Sequence, residues 1–189
     1  MIYFLSSIPR SGSTLLASLL MQREDIYVSP TSNLGNSMGA VCKSFESDPN
    51  KKDDLYRTLK AMVDAKYADR EESILFDKGR IWPCVKVMDT MKKVQGEVKI
   101  VATVRPIAEC IASFYLVDKS LLPIKQWIKE SQLMAHLMQS YKILKEGYEK
   151  HPDNFCIIEY SDLCNHTQRE LDRVADFISI PRVTFSPTI

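Results

Sequence analysis

The 189 residues carry 25 basic and 24 acidic side chains, a net charge of +1, and 45% of them are hydrophobic. Such a chain suits one domain, residues 1–189, with a core of its own, and its balanced charge offers no overall field to recruit nucleic acid or an anionic membrane. Any anion site has to be local. The five cysteines, Cys42, Cys84, Cys110, Cys156 and Cys164, form no Cys-x-x-Cys pair. Neither a disulfide framework nor a zinc site is signalled, and reduced thiols in a cytoplasmic protein are the expectation. Pro9 and Arg10 interrupt the first apolar run, which argues against a secretory signal, and no run of about 18 apolar residues announces a membrane span.

Ile2 to Leu5 reads as a buried first strand that Pro9 stops. Leu15, Leu16, Leu19 and Leu20 then mark the apolar face of a helix opening near Ser13. Between the two lie Ser7, Ser11, Gly12, Ser13 and Thr14, small enough for backbone N–H groups to converge, with the positive end of the helix dipole behind them. A phosphate or sulfate fits such a place. Ser29 to Asn33, with Gly35 and Gly39, predicts a loop. Asp53 to Tyr67 has the spacing of an amphipathic helix, and Ser73 to Phe76 that of a short strand. Asp77-Lys78-Gly79-Arg80 follows, and Pro83 can open a helix from Cys84 to Val94.

Val98 to Val104, nearly continuous in β-branched residues, predicts a central parallel strand ended by Arg105 and Pro106. A helix from Ile107 to Val117 follows, then a long helical pattern from Pro123 to Glu149 with room for one break. Phe155 to Glu159 is the last strand, and Thr167 with Glu170 predicts a capping box for a helix ending near Ile178. Strand and helix alternate throughout. The pattern predicts an α/β fold of three layers, a parallel sheet with helices on both faces.

The anion loop invites comparison with the Walker pattern G-x-x-x-x-G-K-[ST]. Gly12 and Thr14 fit its second glycine and hydroxyl, but Ser13 stands where lysine is required. The cation has moved to Arg10, whose planar fork suits a pair of sulfuryl or phosphoryl oxygens. Pro9-Arg10-Ser11-Gly12-Ser13-Thr14-Leu15-Leu16 closely resembles the 5′-phosphosulfate loop of sulfotransferases that use 3′-phosphoadenosine 5′-phosphosulfate (PAPS). Their second signature, an arginine at a strand end and a serine eight residues on, is matched by Arg105 and Ser113. That spacing covers about two helical turns, so a guanidinium and a hydroxyl can close on one phosphate. Ile158-Glu159-Tyr160-Ser161-Asp162-Leu163 is similar to a third segment found late in these enzymes.

The resemblance implies a P-loop NTPase-like sulfotransferase fold and transfer of a sulfuryl group from PAPS to a hydroxyl or amine of a small-molecule, glycan or peptide acceptor, without a metal. It implies that Arg10, Ser11, Gly12, Ser13 and Thr14 hold the 5′ end of the donor and that Arg105 and Ser113 hold its 3′-phosphate. Lys78 matches a lysine of the tyrosine-sulfating branch and is assigned to transition-state charge, with Asp77 as the proton acceptor. Thr31 stands about where that branch carries its glutamate, and the Lys-Thr-His segment of cytosolic relatives is missing. An unusual P-loop phosphotransferase and a non-catalytic module that binds PAPS or its product are the alternatives. Acceptor binding is expected in Ser29 to Ser44 and Asp118 to Trp127. Trp82, Trp127 and the Met134/Met138 pair are expected to be core or acceptor-pocket wall rather than cofactor contacts, and the three histidines to be structural or solvated.

Overall fold

The computed structural model describes residues 1–45, 51–119 and 121–185. Five strands, β1 (Tyr3–Ser7), β2 (Ile26–Val28), β3 (Ile74–Lys78), β4 (Ile100–Val104) and β5 (Phe155–Glu159), form one sheet in the order β2-β3-β1-β4-β5. Every pairing is parallel, with Phe4 opposite Asp77 on one side of β1 and Ile100 on the other.

Alternate side chains along each strand feed two separate cores, as the pleat demands. Phe4, Ile100, Ala102 and Phe155 pack on one face against α3 (Lys52–Lys66), α4 (Val85–Gln95) and α7 (Gln132–Lys150). Leu5, Val101, Phe76 and Ile158 pack on the other against α1 (Ser13–Leu20), α8 (Tyr160–Asn165) and α9 (Thr167–Ile178). Both faces of the sheet are therefore dry, which is why β4 reads as a continuous apolar run. The expected three-layer architecture is the observed one, a parallel sheet with helices on both faces.

Several local expectations are corrected. Gly35 and Gly39 do not belong to a loop: Leu34–Ser44 is helix α2. A Cβ on Gly35 would fall on the Ile81 side chain, so that glycine serves close packing and not a turn. The third strand runs on to Lys78, because Asp77 and Lys78 continue the pairing with β1. The long helical pattern divides at Ser131 into α6 (Ile124–Glu130) and α7, with the Ser131 hydroxyl accepting from the Leu133 N–H at 3.2 Å. No capping box forms at Thr167, which is already inside α9 and donates its hydroxyl to the Leu163 carbonyl at 2.7 Å. Glu170 is buried and pairs with Arg169 and Arg173 instead. Strand β2 and helix α8 are too short for periodicity to announce them.

Candidate functional site

Parallel strands place all the loops after their carboxyl ends along one edge of the sheet. At that edge α1 leaves the central strand toward one face while α5 (Ile107–Asp118) follows β4 with its apolar residues on the other. Crevices of this kind are where open α/β sheets bind ligands.

The loop from β1 to α1 is held in an unusual backbone shape. Arg10 has φ 68° and Gly12 φ 95°, both left-handed, with ordinary backbone between them. Such an alternation turns consecutive N–H groups toward one point. Helix geometry leaves the N–H groups of Ser13, Thr14 and Leu15 without intrahelical partners, while Leu16 is the first to bond back, to the Gly12 carbonyl at 3.0 Å. Side-chain substitution at Gly12 is blocked twice over, by its φ and by the Tyr160 ring, which a Cβ would meet at 2.5 Å.

Ser11 has a different task from the one expected of it. Its hydroxyl is buried 2.7 Å from the carbonyl oxygens of Ile8 and Thr103 and 2.9 Å from the Thr103 hydroxyl, and its N–H is donated to the Ile8 carbonyl. Ser11 therefore pins the loop to β4, and its donors are used up inside the protein. It anchors the cradle and does not add to it.

The floor of the crevice is a cavity of about 190 Å³ whose lining includes Ser7, Arg10, Ser13, Thr14, Thr31, Lys78, Arg80 and Phe114. Among the described residues no carboxylate lines it. Lys78 crosses from β3 to place its ammonium 3.2 Å from the Thr14 hydroxyl, and its own N–H is fixed by the Ser29 hydroxyl at 2.9 Å. Burial, and then the charge of Arg80, hold the Lys78 ammonium below the usual lysine range. Among the described residues neither Arg10, Lys78 nor Arg80 has an ion-pair partner. Three uncompensated cations around a helix N-terminus make a strongly anion-seeking site.

Arg105 and Ser113 are brought to the same edge, but each already has a partner. Ser113 accepts from Arg10 Nε at 3.1 Å, which ties the loop after β1 to α5. Arg105 donates from Nε to Glu109 at 2.8 Å, and its guanidinium lies 4.4 Å from the centre of the Tyr160 ring. Tyr160 thus separates Gly12 from Arg105, a role that its place at the start of α8 gives it and that residue type alone did not reveal.

Asp77 is fully buried, and both of its oxygens are occupied. Tyr67 donates its hydroxyl to Oδ2 at 2.6 Å and Trp82 donates Nε1 to Oδ1 at 2.9 Å. Burial, followed by the bond to Asp77, pushes the Tyr67 hydroxyl pKa upward. Asp77 does not line the cavity, so the expected role of proton acceptor does not fit its placement. Successive strand residues point to opposite faces, and Asp77 faces the core where Lys78 faces the crevice. Arg80, two residues after Lys78, was passed over in the sequence. It stands in the turn after β3, beyond the reach of strand alternation, so only the tertiary structure brings it to the site.

A second groove, of about 280 Å³, adjoins the cavity and shares Thr31 and Arg80 with it. Its far wall is α7, which contributes His136 and Gln139. His136 therefore comes to the site that its sequence position had kept it from. His151 lies 3.2 Å from Asp89 and His166 precedes α9, both structural placements as expected.

A family model described as "Sulfotransferase domain" matches residues 3–185. No curated protein matches the chain in sequence. Among solved structures, the sulfotransferase domain from the curacin biosynthetic pathway superimposes with a TM-score of 0.66 at 19% identity, covering 95% of this chain and 74% of its own. A sulfotransferase from Alicyclobacillus acidocaldarius gives 0.63 at 13% identity, covering 100% and 85%. The sulfotransferase domain from the Synechococcus PCC 7002 olefin synthase gives 0.59 at 19% identity, covering 95% and 73%. These likenesses establish a shared fold.

Proposed function

Because the chain belongs to the sulfotransferase domain family, we propose that it moves a sulfuryl group from PAPS to a hydroxyl or amine acceptor. The observation that carries this reading is the cavity at the start of α1, where Arg10, Lys78 and Arg80 meet without a carboxylate among the lining residues. A sulfate–phosphate anhydride matches that donor set. When bound, it supplies the sulfuryl group and a bisphosphate leaving group, with negative charge growing on the bridging and equatorial oxygens.

The protein's part is to hold donors where that charge develops. The Arg10 fork and the N–H groups of Ser13 and Thr14 cover one side, and Gly12 lets the backbone come close. Lys78, tethered to Thr14, covers the other side. Removing a single donor of this kind typically costs about 10²–10³ in rate. Arg105 and Ser113 take the 3′-phosphate, with Arg105 exchanging Glu109 for the ligand. The bond from Arg10 to Ser113 couples the two ends of the donor site through one side chain.

Calorimetry with adenosine 3′,5′-bisphosphate tests the reading. Binding is expected in the wild type and is weakened by more than about tenfold, about 1.4 kcal/mol, in Arg105→Ala. Transfer of labelled sulfate is lost in Arg10→Ala. A wild-type protein that ignores the bisphosphate but is stabilised against heat by ATP with Mg²⁺ is a phosphotransferase, and the proposal fails.

A further inference from the structure

The groove beside the donor cavity has a composition that defines a substrate class. It is bounded by the residues after β2, the start of α2, Arg80 and one side of α7. Eight of its ten lining residues carry polar side chains, and only Ile81 and Ile143 are aliphatic. Among the described residues the groove is lined by no Phe, Tyr or Trp ring and by no carboxylate. Arg80 and Thr31 line both it and the donor cavity, so a molecule lying in the groove ends at the reacting edge of the site.

The state of these polar groups matters more than their number. Ser32 and Ser140 are committed to backbone partners: Ser32 accepts from the Leu34 N–H and Ser140 donates to the His136 carbonyl. Among the described residues, the side chains of Asn33, Asn36, Arg80, His136 and Gln139 have no hydrogen-bond partner within the protein. Four of them, Asn33, Asn36, His136 and Gln139, are exposed and present a mixture of donors and acceptors with no fixed charge of either sign at neutral histidine. A flat aromatic acceptor such as a phenol is best held between Phe, Tyr or Trp rings, none of which is among the lining residues here, where Ile81 and Ile143 form the one aliphatic patch. Amide and imidazole groups spaced along two helices fit an acceptor that offers many hydroxyls.

We propose that this groove binds the acceptor and that the acceptor is a polyhydroxylated molecule of the saccharide class. The inference rests on the sulfuryl-transfer reading of the adjoining cavity. Asn36 from α2 and Gln139 from α7 bond hydroxyls from opposite walls, and Arg80 bridges the sugar end of the groove to the donor end.

The test runs on the whole chain and has two arms. The first is calorimetry with adenosine 3′,5′-bisphosphate, which probes the donor site alone. The second measures transfer of labelled sulfate to cellobiose, chitobiose and maltotriose against 4-nitrophenol and decanol, in the wild type and in Asn36→Ala/Gln139→Ala. Both substituted residues sit on exposed helix faces, and alanine favours helix, so the variant retains its fold. The expected result is transfer to at least one saccharide and little to the phenol or the alcohol. In the double variant the saccharide KM rises about tenfold or more, the loss of roughly 1.4 kcal/mol of binding, while bisphosphate affinity is unchanged. Donor binding without transfer to any saccharide overturns the proposal, as does preference for the apolar acceptors or a KM that stays within about twofold. Failure of donor binding in the first arm instead removes the sulfuryl-transfer reading on which the proposal stands.

Discussion

Replacing Asp77 separates a structural role from a chemical one. The carboxylate sits beneath the crevice, fully buried, with Tyr67 and Trp82 each donating one hydrogen bond to it. A hydrogen bond to a charged group contributes about 1.5–3 kcal/mol. Asp77→Ala removes both bonds and leaves two buried donors unpaired, so the loss is about 3–6 kcal/mol against a total stability on the order of 5–15 kcal/mol. Asp77→Asn preserves the shape: its Oδ1 still accepts from Trp82, and its amide meets the Tyr67 hydroxyl, which can turn to accept. The loss there is about 1–2 kcal/mol. At about 2–4 °C per kcal/mol for a chain of this size, the melting temperature falls by about 6–24 °C for alanine and about 2–8 °C for asparagine. Thermal unfolding measures the fall, and calorimetry with adenosine 3′,5′-bisphosphate measures what remains of the site. Asp77→Asn is expected to bind the bisphosphate within about twofold of wild type, 0.4 kcal/mol, and to turn over at a comparable rate per folded molecule. An unchanged melting temperature together with a fall in kcat of about 10²–10⁴ would show that Asp77 takes the acceptor proton after all, and that its two bonds do not hold it in a structural role.

Three further outcomes follow from the same geometry. Glu109 is 53% exposed and occupies Arg105, which is 23% exposed; a pair of that kind is worth about 0.2–1 kcal/mol. Glu109→Ala therefore frees the guanidinium and tightens bisphosphate binding by about 1.5- to 5-fold in calorimetry, whereas weaker binding would mean that Glu109 positions Arg105 for the ligand. In the proposed role Lys78 works in its charged form, so activity is expected to be complete below its folded pKa and lost as pH rises through that value. Burial and Arg80 set the value below lysine's ordinary one of about 10.4. In the pH profile of kcat/KM, Arg80→Gln moves the alkaline limb to higher pH, and a limb that stays in place removes Arg80 from the field at Lys78. Gly147→Ala, inside α7, would ordinarily stabilise a helix by about 0.5–1 kcal/mol. Here a Cβ falls on the Pro83 carbonyl oxygen and lies 3.3 Å from the Phe155 ring, so the melting temperature is expected to drop by about 2–12 °C, from about 1–3 kcal/mol of overpacking. A rise would refute the close approach.

The sequence by itself determined the alternation of strands and helices, the parallel sheet and the turn from β1 into α1, because each is written in local patterns. Pro9 to Thr14 carry their own backbone instructions, and β4 carries the unbroken apolar run of a strand buried on both faces. It went astray where a residue's task depends on what arrives from elsewhere. Gly35 looked like a loop residue until Ile81 was packed over it. Only the tertiary structure decided that Ser11 spends its hydroxyl on Thr103, 92 residues away, and that Ser113 meets Arg10 across 103. It also decided that Asp77 faces Tyr67 and Trp82 in the core, while Arg80 and His136 share a groove beside the cavity of Arg10 and Lys78. The physical reason is common to all of these. Backbone conformation follows from neighbours in the chain, whereas the direction and partners of a polar side chain follow from neighbours in space, which exist only once the sheet has closed.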